Sequence, residues 1–166
     1  MRMAPKLQAP TSATKRAQLW DEALNVAQAC GIARSSLVVL AVLSSISVPM
    51  GNSPAKRLLK PSADYSAEAA YNALADLRSL EILMCLFALF PDQRIMLCTG
   101  DKNLALFWAG MRASCFTWAG HAASFTLSPI EALLPHVSPA RAASFFDAVD
   151  DRARVAASSL AQGDAQ

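Results

Sequence analysis

The chain has 166 residues, the size of one ordinary domain. Apolar residues make up 54% and charged residues 17%, which excludes an intrinsically disordered chain and supplies a sizeable core. The net charge of +2 is too small for nucleic-acid binding by bulk electrostatics.

Residues 1–20 carry Arg2, Lys6, Lys15 and Arg16 and no acid, and no continuous apolar stretch follows Arg2. A secretory signal is therefore not expected, and residues 1–13 read as a frayed N-terminus. A single domain is expected over 14–160, with a frayed tail over 161–166. The first helix is predicted from about Thr14 to Cys30. Leu19, Ala23, Val26 and Ala27 form its apolar stripe, and Gly31 follows as a C-terminal cap. Ser36 suits the cap of a second helix over Leu37 to Ile46, although Val38, Val39 and Val42 also allow a strand. The stretch from Ser35 to Ala55 is free of charge, but its continuous apolar run is only Leu37 to Leu43. A membrane-spanning helix needs ~20 residues, so a buried helix is expected and no membrane contact. Residues 49–61 read as a turn-rich connection carrying the basic cluster Lys56, Arg57 and Lys60.

The longest predicted helix starts after Ser66 and ends at Pro91. Leu74, Leu77, Leu80 and Met84 share one side, and Glu68, Asn72, Asp76 and Ser79 another. Beyond Ile82 the pattern is apolar almost all round, which predicts deep burial of the C-terminal half. Residues 94–99 read as a short buried strand, Gly100-Asp101 as a turn, and Lys102 to Arg112 as a helix. Ser114 to Trp118 and Ser124 to Leu127 are short strand candidates. Ser128-Pro129-Ile130-Glu131 predicts a helix start, and Ser138-Pro139 begins a last helix towards Leu160.

Cys30, Cys85, Cys98 and Cys115 are scattered without C-x-x-C spacing, and read as small buried side chains in a reducing, cytoplasmic compartment. His121 and His136 are too far apart for a helical metal pair. No G-x-x-x-x-G-K-[ST] or G-x-G-x-x-G phosphate loop is present. Trp20, Trp108 and Trp118 lie in apolar patterns that favour core or interface burial. Two carboxylates stand out in so apolar a chain. Asp76 projects from a helix entering the core, and Asp101 ends Leu97-Cys98-Thr99-Gly100-Asp101. Such a pair is able to share a hard divalent cation, and a metal so held clamps a phosphodiester and activates water. The same residues also read as a helix cap at Asp101 and a solvated polar face at Asp76.

The segment from Tyr65 to Arg112, with Asn72 and Asp76 on a helix followed by Thr99-Gly100-Asp101-Lys102, resembles the C-terminal half of PIN-domain nucleases. The resemblance implies an α/β fold, a mainly helical three-layer domain with a small parallel sheet, lacking the family's first acidic strand. It implies a metal-dependent ribonuclease of toxin–antitoxin type, truncated or degenerate. Asp76 and Asp101 would be catalytic and ligate Mg2+ or Mn2+, with Asn72 and Thr99 supporting them. RNA and an antitoxin or other protein are the partners it implies. Met96 to Asp101 is also similar to a stretch of haloacid-dehalogenase-like phosphotransfer domains, but no upstream nucleophile loop accompanies it. A missing first strand would leave residues 95–98 at a sheet edge, which predicts self-association. The alternative is a non-catalytic protein-binding module with an apolar surface, favoured by the charge-poor stretch from Asn103 to Ile130.

Overall fold

Five helices, each opened by a side chain that accepts a backbone N–H, carry most of the order in the computed structural model, which describes residues 4–7, 12–48, 53–120, 122–135 and 137. They are α1 (Ala13–Ala29), α2 (Leu37–Ser47), α3 (Pro54–Leu59), α4 (Ala67–Leu89) and α5 (Lys102–Met111). Ser12, Ser36, Ser53 and Ser66 cap the first four, and the Asp101 carboxylate caps the fifth. Each such cap stabilises its helix by ~1 kcal/mol by satisfying a donor that has no partner inside the helix. A short 3-10 turn, Ala4–Leu7, precedes α1, and its Leu7 side chain is buried.

α2 is the centre of the molecule. Nine of its eleven residues are buried, and it packs against α1, α3 and α4. This explains the absence of charge from 37 to 47: a helix with so little solvated surface has no face on which to place one. The strand option for Val38 to Val42 is not taken, because Ser36 starts a helix by accepting from the Val38 N–H at 3.2 Å. Leu40, Leu43, Leu58, Leu77, Leu80, Met84, Phe107 and Met111 build the fully buried core around it.

The connection expected over 49–61 contains α3. Ser53 caps it with Pro54 in its first turn, and Ala55, Leu58 and Leu59 are buried. Six residues are too few to display a helical period, so the stretch reads as a connection in the sequence. Lys60 ends α3 in the left-handed region with φ 45°.

The fold is mixed α/β and mostly helical, as expected, but its sheet differs from the expected one. Among the described residues the only strands are β1 (Ser114–Ala119) and β2 (Ala122–Thr126), paired antiparallel with Thr117 opposite Ser124 and Ala119 opposite Ala122. Gly120, with φ 60°, supplies the left-handed backbone that a two-residue hairpin connection needs. The register breaks between Ser114 and Thr117, where Cys115 has φ 54°. The hairpin packs on α4, with Phe116 against Phe87 at a ring separation of 5.1 Å.

Residues 94–99 form no strand. The Ile95 N–H turns back to the Gln93 carbonyl at 3.0 Å, and Met96 is 84% exposed. A strand gains its hydrogen bonds from a neighbour, and the hairpin uses its own pairing internally. The expectation of self-association through an exposed strand edge at 95–98 therefore has no strand to act through.

The helix expected after Ser128-Pro129 is replaced by turns over 131–135. The segment docks instead on the end of α5. The Ser128 and Ile130 N–H groups donate to the Met111 and Gly110 carbonyls at 3.1 and 2.9 Å, so the segment satisfies the end of α5. Leu133 and Leu134 are buried there, and a Cβ on Gly110 would lie 2.7 Å from Leu133 Cγ. The last helix expected from Ser138 towards Leu160, the tail beyond it, and His121 and His136 lie outside the described residues.

The cysteines correct another expectation. Cys30, Cys98 and Cys115 are exposed and Cys85 is half-buried, all as free thiols. Their apolar sequence neighbours do not carry them inward, because Cys30 sits at a helix end and Cys98 in the irregular segment.

Candidate docking surface on helix α4

Asp101 is half-buried at the start of α5. Its Oδ1 accepts from the Asn103 and Leu104 N–H groups at 2.7 and 3.2 Å, and its own N–H donates to Thr99 Oγ1 at 3.1 Å. Thr99-Gly100-Asp101 is thus a helix-capping turn rather than the end of a strand. Asp76 is half-buried on the third turn of α4, and its carbonyl accepts from Ser79 Oγ at 2.6 Å. Asn72 is exposed one turn earlier. α4 and α5 touch where Phe87 stacks on Trp108, centroids 5.9 Å apart. That contact lies three turns along α4 from Asp76, a helical rise of about 16 Å.

Of the other acids that a metal cluster would draw on, Glu22 pairs with Lys6, and Asp21 and Glu68 are exposed. Among the described residues no group of three His, Cys, Asp or Glu side chains is arranged to hold a metal ion. Of the basic cluster, Lys56 and Arg57 lie on α3 and Lys60 is its C-cap; burial pushes the Lys56 ammonium below its ordinary value, so this side chain leans on the core. Trp20 donates from Nε1 to Ser47 Oγ at 3.0 Å, tying α1 to α2. Trp20 and Trp108 are half-buried, whereas Trp118 is exposed on the hairpin.

The unexpected surface is on α4 itself. Its inner face buries Ala73, Leu77, Leu80, Met84 and Ala88. At 100° per residue, Tyr71, Ile82, Leu86 and Leu89 fall on the opposite face with Leu74 at its edge, and all five are exposed. Tyr71 is 71% and Ile82 51% exposed. The sequence pattern predicted deep burial beyond Ile82; Leu83, Met84 and Ala88 are buried there, but Leu86 and Leu89 are exposed. A helix apolar on both faces needs neighbours on both, and the described residues cover only one. Leu74, expected with the core residues, belongs to the outer face.

The stripe runs for five turns, about 27 Å. Phe90, 50% exposed, lies at its end. An open groove of about 540 Å³ follows its first half, lined by Tyr71, Leu74, Ala75, Arg78 and Ile82 and walled on one side by Val38 of α2. Charge on this face is confined to its middle, where Arg78 Nη1 donates to Glu81 Oε2 at 2.8 Å. Two small side chains, Ala75 and Cys85, flank that pair at helical spacing, where another helix is able to approach closely. The all-round apolar pattern was the one sequence signal for this surface, and it reads equally as burial or as an uncovered face. Comparison with family models, with curated proteins and with solved structures yields no match.

Proposed function

We propose that this chain is a protein-interaction module that docks a partner protein through the outer face of α4. The observation that carries the reading is the five-turn apolar stripe from Tyr71 to Leu89, exposed on a helix whose other face is core. Single exposed apolar residues are ordinary on any surface; a contiguous set of large ones along one helix marks an interaction site. The geometry suits helix-in-groove recognition, in which side chains at i, i+3, i+4 and i+7 spacing supply the anchors.

Site-specific photo-cross-linking in the producing cell tests this. A cross-linking amino acid at position 74, 82 or 89 is expected to yield the same discrete adduct, absent when it is placed at exposed Asn25 on α1. No adduct from any stripe position, or equal adducts from Asn25, overturns the reading.

A metal-dependent ribonuclease with a PIN-like three-layer parallel architecture is the second reading. Its support is that both Asp76 and Asp101 are half-buried carboxylates. Asn72 and Thr99 would support the pair around Mg2+ or Mn2+. RNA cleavage that requires either metal and disappears in Asp101→Asn would favour it over docking.

A further inference from the structure

We infer that the partner on the outer face of α4 is a second copy of this chain, with the two α4 helices packed antiparallel about a two-fold axis at the level of Leu80. This rests on the docking reading above and names its occupant. The first support is the placement of residues along the stripe. A two-fold axis at Leu80 sets Tyr71 at the level of Leu89 of the second copy, and Leu74 at the level of its Leu86. Ala75 and Cys85 of the second copy then share a level on opposite flanks of the contact, so small side chains bracket its centre. Large residues fall at both ends of the contact, the arrangement a self-complementary interface requires.

The second support is charge. Arg78 and Glu81 lie on the same flank of the stripe, and the two-fold axis keeps flanks on one side. Arg78 of one copy therefore comes within one residue rise of Glu81 of the other, and the converse pair forms with it. The existing Arg78 and Glu81 bond shows that both side chains reach along this face, and Arg78 is 71% exposed and free to swing. The single cation and single anion at the middle of the stripe thus exchange partners on assembly, and neither charge is left unpaired.

The third support is size. At roughly 150–250 Å² for a fully exposed large side chain, the stripe and Phe90 offer on the order of 500 Å² of apolar surface per copy. With Ala75, Arg78, Glu81 and Cys85 the face approaches the ~800 Å² per partner of a specific interface. Interfaces of that size hold partners with dissociation constants from micromolar downward.

Sedimentation equilibrium on the full chain tests the inference. The wild type is expected to dimerise in the micromolar range. Arg78→Glu places four acids at the centre of its homodimer, and Glu81→Arg places four cations there. Each variant alone is expected to dimerise at least tenfold more weakly, with unchanged circular dichroism. An equimolar mixture of the two variants pairs acid with base at both positions and is expected to restore dimers containing one of each. Disruption of the bond within one chain cannot produce that restoration. A wild type that stays monomeric at ~100 µM, or a mixture that stays monomeric, overturns the inference. The cross-links separate the two failures. An adduct of twice the chain mass supports both proposals. An adduct with another protein keeps docking and removes self-pairing. A link at monomer mass to the chain's own residues 138–166 removes both.

Discussion

Three buried serines on α2 make a matched set in which burial is constant and hydrogen bonding differs. Ser45 Oγ donates to the Ala41 carbonyl and Ser47 Oγ to the Leu43 carbonyl, each at 2.8 Å. Ser47 Oγ also accepts from the Trp20 indole at 3.0 Å. Ser44 is 0% exposed, and its Oγ has no partner among the described residues. A buried hydroxyl without a partner costs ~1–3 kcal/mol, and alanine gains ~0.5 kcal/mol of helix propensity over serine. Allowing for the small void left behind, Ser44→Ala is expected to stabilise the fold by about 1–2 kcal/mol. Ser45→Ala is expected to be near neutral, because the Ala41 carbonyl keeps its helical bond and such back-bonding gives little. Ser47→Ala removes an acceptor from the indole of Trp20, which costs ~1–2 kcal/mol against the same propensity gain, a net loss of about 1 kcal/mol. For a chain of this size each kcal/mol moves the midpoint by ~2–4 °C. Differential scanning calorimetry with urea unfolding should rank the variants Ser44→Ala above Ser45→Ala above Ser47→Ala. A lowered midpoint for Ser44→Ala, or equal midpoints for Ser44→Ala and Ser47→Ala, would refute the assignment of hydrogen bonds on α2.

Gly110→Ala should destabilise by about 1–2 kcal/mol, because overpacking against Leu133 at 2.7 Å outweighs the ~1 kcal/mol of helix propensity gained; a net gain in urea midpoint would mean that Leu133 yields freely. Lys60 and Arg112 occupy left-handed C-caps at φ 45° and 49°, so Lys60→Gly and Arg112→Gly should each stabilise by ~0.5–1 kcal/mol, and a loss in thermal melts would contradict the strain. Asp101→Ala should cost ~1 kcal/mol while Asp101→Asn, an equally good cap, costs almost nothing; urea curves in which both cost the same would show that the charge, not the cap, matters. Burial holds the Lys56 ammonium below its ordinary 10.5, so the unfolded chain binds that proton more tightly and stability contributed here rises with pH up to that value. Lys56→Met should therefore gain on the wild type at neutral pH, with an advantage that shrinks as pH approaches 10.5. An advantage that grows with pH would reverse the sign of the argument.

Helix starts were legible because they are written in adjacent residues. Ser36, Ser66 and Asp101 each cap the helix expected after them, and the ends of α1 and α4 fall within a residue or two of the expected ones. The two strands of the hairpin were also in place, although their pairing was not. Where the reading departs from the structure, a neighbour distant in sequence decides. Ser128-Pro129 is a good helix start, yet the segment docks on the end of α5 through the Ser128 and Ile130 N–H groups and continues as turns that bury Leu133 and Leu134. Residues 94–99 have strand composition and no strand beside them. Thr99 and Asp101 carry the motif of a strand-end site, and the local hydrogen bonds turn it into a cap. The outer face of α4 shows the same division most clearly. Periodicity identifies a helix apolar on both sides, but it does not count the neighbours available to cover them. Local hydrogen bonding and propensity act over a few residues and are determined by the sequence alone. Burial is a competition among all elements for a limited number of contacts, and only the tertiary structure shows that the described residues cover one face of α4 and not the other.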